Sequence, residues 1–140
     1  EKRTNKQSIP VWHRSRGKDY FISMCKDYDY VSLGGIVSGE WKGSNPDIFQ
    51  WFIDKAHEHN CKIHALGYTN MKGLKKYNFD SVDSTTWVSG NRFGHLWHFK
   101  NGEIKKVHRQ ENQKMINPQD VAVQNFHAWV LFQKYAIKYY

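Results

Sequence analysis

The chain has 140 residues, 39% of them hydrophobic and 16% aromatic, and carries 21 Lys and Arg against 13 Asp and Glu for a formal charge of +8. That length and composition fit one globular domain with a core and exclude a disordered chain. No apolar run approaches the roughly 20 residues of a membrane span, and no leader with a cleavage site opens the sequence. The expectation is a cytoplasmic protein that needs no membrane partner.

Two cysteines far apart, Cys25 and Cys61, argue against a disulfide framework and a cysteine-rich zinc site and read as small buried apolar residues. The charge favours polyanionic partners such as nucleic acid. Its carriers, Lys2-Arg3, Arg14-Arg16-Lys18, Lys72-Lys75-Lys76, Lys105-Lys106 and Arg109, form no single binding arm, so an ordinary solvated surface fits equally well. The sequence opens on Glu1 without an initiator Met, which suggests that it continues something longer.

Glu1 to Ser8 is polar and reads as a linker or helix tail. Ile9-Pro10-Val11-Trp12-His13 is a short apolar strand with Pro at its start, where a strand tolerates it. After a basic loop, Tyr20, Phe21, Met24, Cys25 and Tyr28 recur at three- and four-residue spacing, which predicts a one-sided helix over 18–28. Tyr30 to Leu33 is a second strand, followed directly by Gly34-Gly35-Ile36-Val37-Ser38-Gly39-Glu40, whose paired glycines permit a sharp turn or a close approach to a ligand. Asn45 and Pro46 start a second helix bearing Phe49, Trp51, Phe52, Ile53 and Ala56; His57 and His59 close it as surface residues, not metal ligands.

Cys61 to Gly67, containing His64-Ala65-Leu66-Gly67, is a third strand; a short helix over 70–76 leads to a fourth, Phe79 to Asp83. Four alternating βα units predict an α/β fold with a parallel sheet. Leu96 to Val107 around Asn101-Gly102 predicts a hairpin with a two-residue turn. Pro118 opens a last helix with a wide apolar stripe of Val121, Val123, Phe126, Trp129, Val130, Phe132 and Ile137.

The stretch on which function turns is Asp80-Ser81-Val82-Asp83. Side chains at the carboxyl ends of parallel strands face the ligand crevice, so Asp83 stands where chemistry is usually done. Alternatively, Asp80 or Asp83 only caps the following turn.

Gly34-Gly35-Ile36-Val37-Ser38-Gly39-Glu40 resembles the GGxxxGE segment of the queuine tRNA-ribosyltransferases (tRNA-guanine transglycosylases). Asp80-Ser81-Val82-Asp83 resembles their DMFD segment, whose second Asp is the nucleophile. Arg92 and Gly94 fall on that family's TRxxRNG segment, and Ala65-Leu66-Gly67 on its GVG. The wording of 64–67 and 81–87 is closer still to phage and prophage relatives, some of which insert 7-deazaguanine bases into DNA. The resemblance spans about Pro10 to Trp97 and corresponds to the second half of a TIM (βα)8 barrel. It divides the chain into 1–97, half of the catalytic barrel, and 98–140, a β-hairpin and amphipathic helix packing on it.

The resemblance implies base exchange. Asp83 would attack the anomeric carbon of a guanosine and hold a covalent glycosyl intermediate until a 7-deazapurine base displaces it. Gly34, Gly35, Ile36, Ala65, Leu66 and Gly67 would line the base pocket with Asp80 and Arg92, Glu40 would steady the glycine loop, and His13 would stand in place of a base-reading glutamine. His64 either faces the base or is a satisfied strand histidine. The implied partners are DNA or tRNA, with no cofactor and no metal, and a homo-oligomer is compatible. Trp41 and Trp87 either stack on an extruded base or pack under their loops.

Three departures qualify the likeness. No cysteine follows Cys61 to build the family's zinc site, Trp87-Val88-Ser89 replaces its Pro-Thr-Arg, and its acid/base aspartate belongs to the first barrel half. The implication is that these 140 residues alone are catalytically silent. Two other readings stay open: a metal-dependent barrel hydrolase with His13, His64 and Asp83 as ligands, and a non-catalytic phage-associated protein that binds nucleic acid or another partner.

Overall fold

The computed structural model describes residues 5–45, 47–108 and 117–140, with the side chains of 91, 92 and 108 excepted. Lys2-Arg3, Pro46 and Arg109 therefore lie outside the described residues, as does the Arg92 side chain. The chain divides into two compact units, Glu1–Ser84 and Thr85–Tyr140.

The first unit alternates strand and helix: β1 (Val11–Trp12), α1 (Lys18–Asp27), β2 (Tyr30–Leu33), α2 (Ile48–Glu58), β3 (Lys62–Ala65), α3 (Met71–Lys76) and β4 (Ser81–Val82). The strands form one parallel sheet in the order β1-β2-β3-β4. This is the α/β architecture that the alternation predicts, since parallel neighbours need a crossover between them. Local chemistry fixes the start of α3. Asn70 caps α3 by accepting from the Gly73 amide at 3.0 Å, whereas α2 begins behind Asp47 with no side-chain cap, and Asn45 only closes a turn ahead of it by accepting from the Asp47 amide at 2.9 Å.

Successive strand side chains point to opposite faces. Trp12, Val31, Leu33 and Ile63 point into a core shared with Phe21, Met24 and Cys25 of α1 and Phe52, Ile53 and Ala56 of α2. Phe52 is its centre, with ring centroids of Trp12, Phe21 and Trp51 at 4.6, 4.7 and 4.8 Å. Cys25 and Cys61 are buried in the same core as free thiols. Burial pushes the Cys25 thiol up to about 12, with Cys61 beside it adding to the effect. The opposite face carries Val11, Tyr30, Ser32, Lys62, His64 and Ser81, a mostly polar set.

The second unit contains α4 (Ser89–Phe93), the antiparallel pair β5 (His95–Lys100) and β6 (Glu103–His108), and α5 (Pro118–Tyr139). Asn101 and Gly102 turn the hairpin with φ of 54° and 76°, the left-handed pair that matches strand twist. The apolar stripe expected on α5 is drawn differently. The buried line is Val121, Asn125, Ala128 and Phe132, while Val123, Phe126 and Ile137 are exposed. Asn125 occupies that line because its amide serves β5: it accepts from the Trp97 amide at 2.7 Å and donates to the His95 carbonyl at 3.2 Å. Among the described residues no helix is long and apolar enough to cross a membrane.

Candidate active site

The register sets the site. Trp12 is level with Leu33, Leu33 with Ala65, and Ala65 with Val82, so all four strands end on one line. The next residues, His13, Gly34, Leu66 and Asp83, therefore emerge together at the carboxyl edge of the sheet, the edge from which parallel α/β folds work on ligands.

At one end of this edge, Glu40 is tied to β1. Its Oε1 meets His13 Nδ1 at 2.9 Å and accepts from Ser38 Oγ at 3.3 Å, its Oε2 accepts from the Arg14 amide at 3.2 Å, and its carbonyl accepts from Arg14 Nη1 at 2.9 Å. The His13 hydrogen bond, helped by the Arg14 amide and Ser38, outweighs desolvation and holds the Glu40 carboxyl below its usual range. The glycines make this possible. Gly35 has φ of 78°, and a side chain there would run into the Glu40 carboxylate; one on Gly34 would meet the His13 ring at 2.7 Å. Trp41 packs beneath this loop against Phe49 and Phe52, its Nε1 donating to the Gly34 carbonyl at 2.9 Å. Trp87, in the second unit, is paired with Phe126 at 5.5 Å.

At the other end stands Asp83. Its Oδ1 accepts from the Gly67 amide at 2.6 Å and lies 3.5 Å from His64 Nε2. Among the described residues no donor engages Oδ2, and the side chain is 54% exposed against 18% for His64. Gly67, with φ of 73°, lets its amide reach the carboxylate and leaves room for Val37, which occupies the space a side chain would fill. The loop after β2 thus meets the turn after β3.

Behind His64, Nδ1 is hydrogen-bonded to Ser81 Oγ, which is bonded in turn to the Tyr30 hydroxyl. Tyr30, Ser81 and Val37 are residues that the sequence analysis did not single out. Period-two alternation through β2, β3 and β4 places Tyr30, His64 and Ser81 on one face and was the available signal.

Asp80 lies at the opposite, amino end of β4, where Oδ2 accepts from the Ile63 amide at 2.8 Å and meets His57 Nε2 at 3.0 Å. Three residues from Asp83 in sequence, it performs the strand-joining role. Ala65 is fully buried in the core layer, Leu66 and Ile36 are half-buried, and Arg92 belongs to α4 of the second unit. His13 is engaged with Glu40 while His64 faces Asp83. Among the described residues no three His, Cys, Asp or Glu side chains gather as a metal site.

The arrangement offers a carboxylate anchored through one oxygen and open at the other, at the carboxyl edge of the sheet. That geometry suits attack on an electrophilic carbon or abstraction of a proton. No family model matches the chain, and neither a curated protein nor a solved structure is significantly similar to it.

Proposed function

We propose that Asp83 is the sugar-directed nucleophile of a base-exchange transglycosylase that replaces guanine by a 7-deazaguanine derivative in DNA or tRNA. One observation carries the reading: Asp83 stands at the carboxyl edge with Oδ1 fixed by the Gly67 amide and Oδ2 unengaged by any described residue. An aspartate is ionised at neutral pH and needs no base to activate it. As Oδ2 bonds to the anomeric carbon, the bond from that carbon to guanine breaks with its electron pair leaving on the base. A general acid protonates the departing purine, and the incoming base, giving its ring N–H proton to the conjugate base of that acid, displaces Asp83 from the glycosyl ester as a free carboxylate. Gly35 and Ile36 would present backbone to the purine edge, with His13 beside them, whereas Gly34 is buried with its amide and carbonyl engaged by Trp12 and Trp41.

In this reading the four-stranded sheet is half of a (βα)8 barrel. Parallel sheets are covered on both faces, yet within the first unit the core helices α1 and α2 pack on the face of Trp12, Val31, Leu33 and Ile63. The polar face of Tyr30, Ser32, His64 and Ser81 would then look into the barrel, and the remaining βα units, on further sequence or a second chain, would supply the acid. The charge of +8 would draw the nucleic acid and make binding salt-sensitive.

Covalent trapping tests this. The protein, together with the units that complete its sheet, is incubated with guanosine-containing DNA and separately with tRNA, then run under denaturing conditions. The expected result is a protein–nucleic acid band on one substrate that disappears in Asp83→Asn. A band that survives the substitution contradicts the reading.

A further inference from the structure

We infer that Tyr30, Ser81 and His64 form a one-way donor chain that fixes the tautomer of His64 and through it orients Asp83. The chain is a property of the fold; only what Asp83 then attacks rests on the transglycosylase reading.

The three side chains come from three strands. His64 is level with Ser81 across β3 and β4, and with Ser32 across β2 and β3; Tyr30, two residues before Ser32, shares that face. The contacts run Tyr30 hydroxyl to Ser81 Oγ, Ser81 Oγ to His64 Nδ1, and His64 Nε2 to Asp83 Oδ1 at 3.5 Å. An ionised carboxylate only accepts, whereas a neutral imidazole has one donor and one acceptor nitrogen. Nε2 must therefore carry the proton, for otherwise its lone pair faces the carboxylate charge. In the neutral ring Nδ1 is then the acceptor, Ser81 donates to it, and the Ser81 oxygen accepts from Tyr30. Each hydroxyl has one proton, so the direction is unique.

A serine, a histidine and an aspartate in contact also suggest a serine nucleophile. The order of exposure argues otherwise. Ser81 is held between two partners in the part-buried interior of the chain, and Asp83 is its open end. Nor does His64 protonate the departing base. Nucleophile and leaving group occupy opposite sides of the carbon in an in-line displacement, and His64 lies on the side of Asp83. His64 is thus a positioning residue. Its N–H faces Oδ1 at 3.5 Å beside the Gly67 amide that holds that oxygen, with Oδ2 left outward, and it stabilises the carboxylate that is released when the ester is displaced. The long contact to Asp83 is of the kind that tightens on substrate binding.

Nitrogen-15 long-range correlation spectra of the histidine rings test the chain on the protein without any substrate. The neutral Nε2–H tautomer is expected for His64 in the wild type and in Ser81→Thr, and its population is expected to fall in Ser81→Ala, where Asp83 alone still favours it. A neutral Nδ1–H form, or a tautomer unmoved by Ser81→Ala, overturns the inference. The kinetic arm uses the trapping assay. His64→Leu should slow adduct formation about 10- to 100-fold, the size of one hydrogen bond to a charged group, with unchanged half-saturation. His64→Gln, whose amide nitrogen reaches to the same place, should recover most of the loss, and equal loss in both overturns the orienting role. Absence of any wild-type adduct would instead sink the nucleophile reading, and the tautomer would still decide the chain.

Discussion

At the scale of single residues, the site depends on three glycines, Gly34, Gly35 and Gly67, placed where a side chain would displace a neighbour. Gly67 adopts φ of 73° and its missing side chain is replaced by Val37. Gly67→Ala should cost about 1–2 kcal/mol from the left-handed backbone alone, measured by urea denaturation, and should displace Val37 as well. Glu40 gives a prediction in pH. Its carboxyl is lowered below the ordinary 4.5, first by the His13 hydrogen bond. A group with a depressed folded pKa contributes stability that is complete above the unfolded value and is lost as pH falls through the folded one. The stability difference between wild type and Glu40→Gln should therefore be constant above about pH 5.5 and shrink below pH 4.5. A difference that grows on acidification contradicts the pairing. The roles of Asp80 and Asp83 were only half legible in the sequence. Both sat near one strand, but β4 is just Ser81–Val82, so the two acids flank opposite ends of it and only Asp83 reaches the carboxyl edge of the sheet.

At the scale of elements, punctuation made the chain readable. Gly34-Gly35, Asn70, Asn101-Gly102 and Pro118 mark turns and helix starts with residues whose backbone chemistry permits little else. Helix α5 was legible in its start and not in its buried line, because an apolar count does not register that a buried asparagine can be worth more than a valine. Asn125→Ala removes the hydrogen bonds to the Trp97 amide and the His95 carbonyl and should destabilise the second unit by about 2 kcal/mol or more. Val123→Ser, at a position 68% exposed, should change stability by less than about 0.5 kcal/mol. Thermal melts of both variants check the contrast. The Tyr30–Ser81 contact joins residues 51 apart. It became visible only once strand register was known, since a slip of one residue would send either hydroxyl to the core face.

At the scale of the molecule, the first unit gives a parallel sheet a greasy face under two helices and a polar face of hydroxyls and imidazole. The proposed half-barrel reading assigns that polar face to the barrel interior. The most direct measurement of the central claim is peptide mass spectrometry of the trapped complex after nuclease digestion. The account predicts a pentose-bearing remnant on the peptide containing Asp83, localised by fragmentation to that carboxylate. A remnant on Ser81, His64 or any other side chain would contradict it.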